Sequence, residues 1–200
     1  MPVPYEVIAA PFEAWVAPVG EPFPLIDEAP SANWSLIGTS GDRSTTEDGV
    51  FVSHSQTTEI VRGLGATGPI KVFRTEEDLI IRLTVMDITL EQYTHALNAN
   101  TVTETAAGTG TAGFKTMSMH RGSSVSQNAL LVRGKVSPYG DGWNTQYEVP
   151  VVFQTGTPEL VFQKGTPAGL ALEFTAIEDP NVSAPADRFG QIVEQNADPA

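Results

Sequence analysis

The feature that most constrains the fold is a passage from strand to helix within residues 75–100. Ile80, Leu83 and Val85 lie in a run rich in β-branched residues, which predicts a strand. Thr89 then stands where a helix N-cap is preferred, and Gln92 three residues later completes the pattern of a capping box. The chain is therefore expected to leave a strand and enter a helix directly.

The same stretch indicates how long this helix is. Tyr93 and Leu97 recur four residues apart, which places them on one helical face. Asn98 or Asn100 can end the helix, because Asn tolerates the left-handed conformation. We expect a helix over about 89–99, roughly three turns long, which needs a sheet to pack against.

The rest of the chain alternates strand-like runs with turn signals. Strands are predicted at 5–17, 34–38, 50–62, 70–74, 79–88, 114–120, 128–136, 147–154, 160–163 and 170–177. GLGATGP turns the chain after the third run, and TEED (75–78) is predicted to form the tip of the next hairpin. This spacing predicts a mainly β fold, an antiparallel β-sandwich or β-barrel with one flanking α-helix and extended loop and terminal arms.

The predicted domain organisation is simple. Residues 1–177 are expected to form a single β domain, which suits the length of the chain. Within it, 18–33 is Pro-rich and acidic and is predicted to be an arm or loop, and 39–49 is a polar, Gly-bounded, exposed loop. Residues 178–200 are predicted to form an acidic C-terminal arm that orders only against a partner.

Composition excludes several classes of protein. The chain has no cysteine, so it forms neither disulfides nor thiolate metal sites. Its net charge of −13, with only 11 Lys and Arg, is the opposite of a nucleic-acid-binding surface. No apolar run is long enough to predict a membrane span, and the N-terminal residues do not resemble a secretory signal.

No motif predicts catalysis or cofactor binding. The glycines of 108–113 satisfy G-x-G-x-x-G, but a helix precedes them and a strand follows, the reverse of a dinucleotide site. His54, His95 and His120 stand on different predicted elements, with no spacing typical of metal ligands. We therefore predict a non-enzymatic protein without a cofactor or a bound metal.

From Trp34 to Ile177, the order of parts resembles that of the major tail proteins of long flexible-tailed bacteriophages, which form the tail tube. The resemblance lies in WSLIG, the loop TSGDRSTTEDG, the segment VFVSHSQTTEIVRG, the charged hairpin DLIIRLTVMDI and the capped helix TLEQYTHALN that follows it. The Pro-rich start and the acidic end of the chain have no counterpart in this pattern.

The resemblance implies a virion protein that is assembled in the host cytoplasm. Its subunits would close into hexameric rings that stack into a tube, and DNA would pass through the tube without specific binding. The implied partners are further copies of the chain, together with the tape-measure, tail-terminator and distal tail proteins. Long loops and arms would bridge neighbouring subunits and rings.

Two sets of residues are expected to matter in such a tube. The loop 39–49 would make inter-ring or inter-subunit contacts through Asp42, Arg43, Glu47 and Asp48. Carboxylates lining the lumen would repel phosphate over the roughly 10 Å at which salt screens charge. The candidates for that lining are Glu59, Glu76, Glu77, Asp78, Glu148 and Glu173.

Three other interpretations stay open. A non-catalytic β-sandwich that binds carbohydrate or protein would display an aromatic face, for which Trp15, Trp34 and Trp143 are available. An enzyme with a dispersed site would use His120 and nearby carboxylates. Another virion component, such as a head-tail joining protein, would share the same composition and fold class.

Overall fold

The computed structural model describes residues 6–140 and 142–199. Residues 1–5 and 141 of the predicted domain, and residue 200 of the predicted C-terminal arm, lie outside the described residues.

The described chain is mainly antiparallel β, which confirms the predicted fold class. The strands are β1 (Phe12–Pro18), β2 (Ser35–Leu36), β3 (Phe51–Arg62), β4 (Pro69–Val85), β5 (Val102–Thr105), β6 (Phe114–Met117), β7 (Gln127–Gly134), β8 (Thr145–Gln154), β9 (Leu170–Ala176) and β10 (Gln191–Glu194). The helix α1 spans Leu90–Tyr93, and 3-10 turns occur at Gly41–Ser44, Thr94–Ala96 and Pro185–Asp187.

Eight of these strands form one sheet in the order β2-β1-β7-β8-β9-β4-β3, with β10 added beside β8. All of its pairs are antiparallel. The strands β5 and β6 form a separate two-stranded sheet, which the ion pair between Lys115 Nζ and Glu91 Oε1 (2.7 Å) ties to α1. That pair lowers the pKa of Glu91 and raises the pKa of Lys115.

The inner face of the sheet encloses the larger of two buried apolar clusters. Val16 of β1 and Ile81 of β4 come from distant positions in the strand order, yet both belong to the same buried cluster. The segment between β2 and β3 joins these regions: the Ile37 amide donates to the Ala14 carbonyl (2.8 Å), and the Met86 amide donates to the Ser44 carbonyl (2.7 Å). Apolar burial on this inner face is the main source of stability.

The helix begins as predicted and ends earlier. The Thr89 hydroxyl accepts a hydrogen bond from the Gln92 amide at 3.3 Å, which confirms the N-cap. The α-helix stops at Tyr93 and continues as a 3-10 turn, and Asn98 and Ala99 then adopt φ values of +62° and +55°. The predicted bounds of 89–99 were therefore too long at the C-terminal end, although Asn98 does lie at the break in helical conformation.

The predicted hairpin with TEED at its tip is wrong. Residues 75–78 lie inside β4, a continuous strand that pairs with β3 along most of its length. Thr57 and Ser55 hydroxyls donate to Glu76 (3.1 Å) and Asp78 (3.3 Å) across the ladder, so the strand accommodates these carboxylates. The GLGATGP turn does connect β3 to β4, as predicted.

The Pro-rich segment 18–33 is a loop that covers the outer face of β7 and β8. The Arg133 guanidinium donates to the carbonyls of Leu25 (2.7 Å) and Ile26 (2.7 Å), and the Trp34 indole donates to the Pro22 carbonyl (3.1 Å). The Glu28 amide also donates to the Leu25 carbonyl at 3.0 Å, so a turn within the segment presents these carbonyls to Arg133.

The C-terminal segment is not an arm that waits for a partner. Within the described residues β10 pairs with β8 in register from Gln191 opposite Glu148 to Glu194 opposite Thr145. The Ser137 hydroxyl also donates to the Gln195 carbonyl at 2.7 Å. The edge of β8 that β9 leaves unpaired supplies these backbone partners, and composition alone did not reveal it.

Candidate assembly surface

The outer part of the β3–β4 hairpin, residues 55–78, projects beyond the sheet; we call it the distal hairpin. β9 pairs with β4 only from Ile80 to Val85, and β3 ends the strand order. All residues of the distal hairpin are exposed except the partly buried Gly63. No other described strand pairs with it, so both of its backbone edges are free to accept a new strand.

A bulge shapes this hairpin. Thr57 pairs with Glu76 whereas Thr58 pairs with Arg74, so Thr75 is an additional residue on β4. The Thr75 hydroxyl donates to the Thr57 carbonyl at 3.1 Å, which occupies that acceptor. Bulges bend a strand and increase its twist, so the end of the hairpin leaves the plane of the sheet.

The two faces of the hairpin follow from its register, because directly opposite residues project to the same side. Val52 pairs with the buried Ile81, so the even-numbered residues of β3 continue the inner face of the sheet. The odd-numbered residues of β3 continue the outer face.

Exposed apolar side chains concentrate at residues 60–73, which we call the hairpin tip. Ile60 and Val72 pair on the inner face and are 49% and 55% exposed. Phe73, on the outer face, is 45% exposed, and Leu64 in the turn is fully exposed. Both faces of the tip therefore expose apolar side chains to solvent, which is energetically unfavourable.

The structure brings four of the six predicted lumen carboxylates to one surface. Glu59, Glu76 and Asp78 lie on the outer face of the hairpin, by the register of β3 and β4. Glu173 of β9 lies on the same face of the sheet, where it accepts a hydrogen bond from Arg82 at 2.5 Å. We call these four carboxylates the outer-face acids.

The other two predicted lumen residues lie elsewhere. Glu77 is on the inner face, where Arg74 donates to it at 2.9 Å. Glu148 is only 7% exposed, and its carboxylate accepts hydrogen bonds from the side-chain amides of Gln146 and Gln191. The prediction that Glu148 faces a lumen is therefore wrong, because its side chain is buried and its carboxylate is bonded to Gln146 and to Gln191 of β10.

The four predicted loop residues line one groove at the other end of the hairpin. Asp42, Arg43, Glu47 and Asp48 lie along a cavity of about 640 Å³ that is lined by residues of the 42–50 segment on one side and by residues 8–12 on the other. Ile8, Phe12 and Val50 supply apolar surface within it. We call this cavity the base groove, since Val50 directly precedes β3.

Two other cavities of the described chain each include a histidine. A side groove of about 490 Å³ runs between the base of the hairpin and residues 185–192 and includes His54 and Glu178. A smaller cavity of about 300 Å³ is lined by His95, Asn98 and Arg121. Burial lowers the pKa of His95, which favours its neutral form.

These cavities do not create a metal site among the described residues. No group of three or more His, Asp or Glu side chains is arranged to hold a metal ion there. The described residues also contain no helix with the length and hydropathy needed to cross a membrane.

Sequence reasoning missed the hairpin tip. The run IVRGLGATGPIKVF combines apolar residues with two basic residues and no acidic one, and its pattern predicts only two strand ends joined by a turn. Its unusual charge in an acidic chain was the available signal.

No protein-family model matches the chain, and no curated protein matches it in sequence.

Proposed function

We propose that this protein is a structural subunit that assembles with copies of itself into a tube, as the tail tube protein of a long flexible-tailed bacteriophage. Its subunits form hexameric rings, and the rings stack around a channel for DNA. The tape-measure, tail-terminator and distal tail proteins are its further partners. The tail-tube part of this proposal rests on the order of parts between Trp34 and Ile177, and the self-assembly part rests on the distal hairpin.

The observation that carries the proposal is that the distal hairpin is unpartnered on both edges and both faces. A two-stranded hairpin is at best marginally stable alone in water. Burying one Val, Leu, Ile or Phe side chain contributes about 1.5–3 kcal/mol. Contact with another subunit would bury several such side chains and pair the free edges at once.

The same hairpin is suited to a closed ring. A free edge on each side allows one copy to pair with a different neighbour on each edge, a heterologous contact that closes a ring when the rotation between subunits is right. Continuous antiparallel pairing around the ring then makes an unbroken wall, as in a barrel.

The outer-face acids give this wall a role. With Glu59, Glu76 and Asp78 directed to the channel, the wall would repel phosphate and DNA would slide without binding. Moderate salt screens electrostatic interactions over roughly 10 Å, so these carboxylates repel the DNA only if this face lines the channel.

The carbohydrate-binding alternative has weaker support. Such a site needs an exposed aromatic face, but Trp34 is 4% exposed and packs against Phe23 at a ring-centroid distance of 5.2 Å. Trp143 is partly buried and donates to Asp198 at 2.9 Å.

Negative-stain electron microscopy of the purified protein at raised concentration tests the proposal. We expect rings or tubes with a central channel. A deletion of residues 60–73 closed by a short Gly-containing turn is the matched control, and it should remain monomeric with an unchanged β-sheet circular dichroism signal. Full-length protein that stays monomeric at every concentration would contradict self-assembly.

A further inference from the structure

The hairpin tip differs in charge from the rest of the chain. Arg62 and Lys71 are its only charged residues, so the tip carries two positive charges in a chain whose net charge is −13. Lys71 Nζ lies 4.6 Å from the centre of the Phe73 ring, which places a cation beside the apolar surface of the tip. A partner that fits this tip must offer both apolar surface and negative charge.

The base groove of the same chain has both properties. Asp42, Glu47 and Asp48 outnumber the single basic residue Arg43 along its wall. None of the five ion pairs identified among the described residues involves these four side chains. The residues 8–12 and Val50 supply the apolar part of the lining.

The tip and the base groove lie at opposite ends of one hairpin. The groove includes Val50, and the tip begins at Ile60 near the far end of β3. At about 3.4 Å per residue, the strand separates them by roughly 35 Å. A tip therefore does not reach the groove of its own chain, whereas it can reach that of a second copy placed along the strand direction.

We propose that the hairpin tip of one copy docks into the base groove of a second copy, head to tail. This inference rests on the proposed self-assembly and adds which surfaces meet. The contact is heterologous and leaves a free tip at one end and a free groove at the other, so it repeats without limit along one direction. Such a contact joins successive copies lengthwise.

The side groove is the competing location within the chain. Glu77, Asp78 and Glu178 make it acidic as well, but the hairpin itself forms one of its walls. A tip seated there would lie alongside the hairpin of the next copy instead of extending the direction of the strands. The experiment therefore includes a separate variant that labels the side groove.

Cysteine pairing tests the inference directly, because the natural chain has no cysteine. Leu64→Cys labels the tip and Asp48→Cys labels the base groove. The double variant, oxidised after assembly, should give a ladder of disulfide-linked multimers on a non-reducing gel. Each single variant should stop at dimers, and Leu64→Cys combined with Glu178→Cys, which labels the side groove, should give no ladder.

Charge reversal in the Leu64→Cys, Asp48→Cys background provides a second measurement. Reversing the charges of the tip (Arg62→Glu with Lys71→Glu) should reduce the amount of disulfide-linked multimer about tenfold. This is the effect expected from the loss of two exposed ion pairs near their upper strength. Reversing the groove (Glu47→Lys with Asp42→Lys) should do the same. Combining both reversals should restore the ladder, which a loss of folding would not do.

The outcomes separate this inference from the proposed function. Rings or tubes without a ladder from the tip and base-groove cysteines would overturn the docking and leave self-assembly standing. A ladder that appears only with the side-groove cysteine would overturn it in favour of the side groove. The absence of both assemblies and ladder would overturn both proposals.

Discussion

At the scale of single residues, Arg133 shows how one side chain holds a segment in place. Its guanidinium donates to the carbonyls of Leu25, Ile26 and Glu28 at 2.5–2.7 Å, and these carbonyls belong to the loop that covers β7 and β8. Partial burial lowers the pKa of Arg133, while Asp27 and Glu148 oppose this shift. A partly buried charge therefore holds the loop in place.

We expect Arg133→Met to lower the free energy of unfolding by about 2–3 kcal/mol, because it removes hydrogen bonds from a charged donor and leaves their acceptors unpaired. Chemical denaturation measures this change, and proteolysis should cut within 24–28. Lys164→Met, which alters an exposed loop, is the control and should stay within about 0.5 kcal/mol of the natural protein. Equal shifts in both variants would contradict the role of Arg133.

His95 gives the chain a pH dependence with a defined sign. Burial lowers its pKa in the folded state below the ordinary histidine value of about 6.5, which the unfolded chain keeps. As the pH falls below 6.5, the unfolded chain takes up the proton first, so stability declines toward the lowered folded pKa. At higher pH both states are neutral and the group contributes no slope.

His95→Gln should therefore flatten the dependence of the free energy of unfolding on pH just below 6.5. Denaturation curves at closely spaced pH values measure the slope. His120→Gln, the same substitution at an exposed histidine, is the matched control. An unchanged slope in His95→Gln would show that another group titrates in this range.

At the scale of elements, local chemistry was predictable and distant pairing was not. The Thr89 cap was correct because it depends on residues three positions apart. The Gln92 side chain was expected to return to the cap, but it instead accepts a hydrogen bond from the Gly38 amide at 2.8 Å, 54 residues away. No local pattern reveals that partner.

The wrong predictions for the acidic residues have the same cause, since the partners of these residues are distant in sequence. TEED resembles a turn in isolation, yet Ser55 and Thr57 on the neighbouring strand donate to two of its carboxylates. Glu148 resembles any exposed strand carboxylate, yet Gln191 of β10 donates to it from 43 residues away. Its other donor, Gln146, also donates to the Pro24 carbonyl of the 18–33 loop. The register of β3 against β4, which decides the outer face, likewise depends on the Thr75 bulge.

The attachment of β10 depends on a glycine. Gly190 has φ of +115°, and a β-carbon added there would overlap the carbonyl oxygen of Glu148. We expect Gly190→Ala to displace β10 from β8, to lower the free energy of unfolding by more than about 1 kcal/mol, and to speed hydrogen exchange at 191–194.

Gly165→Ala is the matched control for this change. Gly165 also has a positive φ of +86°, but nothing lies within 4 Å of an added β-carbon. It should therefore cost backbone strain alone and leave exchange at 191–194 unchanged. Similar exchange in the two variants would mean that the close approach to Glu148 does not hold β10 in place.

At the scale of the whole molecule, charge is distributed unevenly. The hairpin tip has two basic residues and no acidic one, while Glu59, Glu76 and Asp78 stand just below it on a single face. Acidity that served solubility alone would have no reason to collect on one face of a projecting hairpin. The hairpin tip is therefore suited to contact with another subunit, and the acidic outer face is suited to repelling phosphate.

The outer-face acids provide the last prediction. Neutralising three of them, Glu59→Gln, Glu76→Gln and Asp78→Asn, should leave tubes intact by electron microscopy but slow DNA release from particles built with the variant. The physical reason is that phosphate would no longer be repelled by the channel wall within the roughly 10 Å over which charges act. An equal loss of charge elsewhere on the exposed surface, Glu28→Gln, Glu159→Gln and Asp187→Asn, should release DNA at the natural rate.

The two ways in which this prediction can fail have different meanings. Tubes that no longer form would show that the three carboxylates lie between subunits, and the wall of the channel would then have to come from another face. Intact tubes with unchanged release would show that the outer face points away from the DNA. Since the register puts Glu77 on the opposite face, Glu77→Gln should in that case be the substitution that slows release.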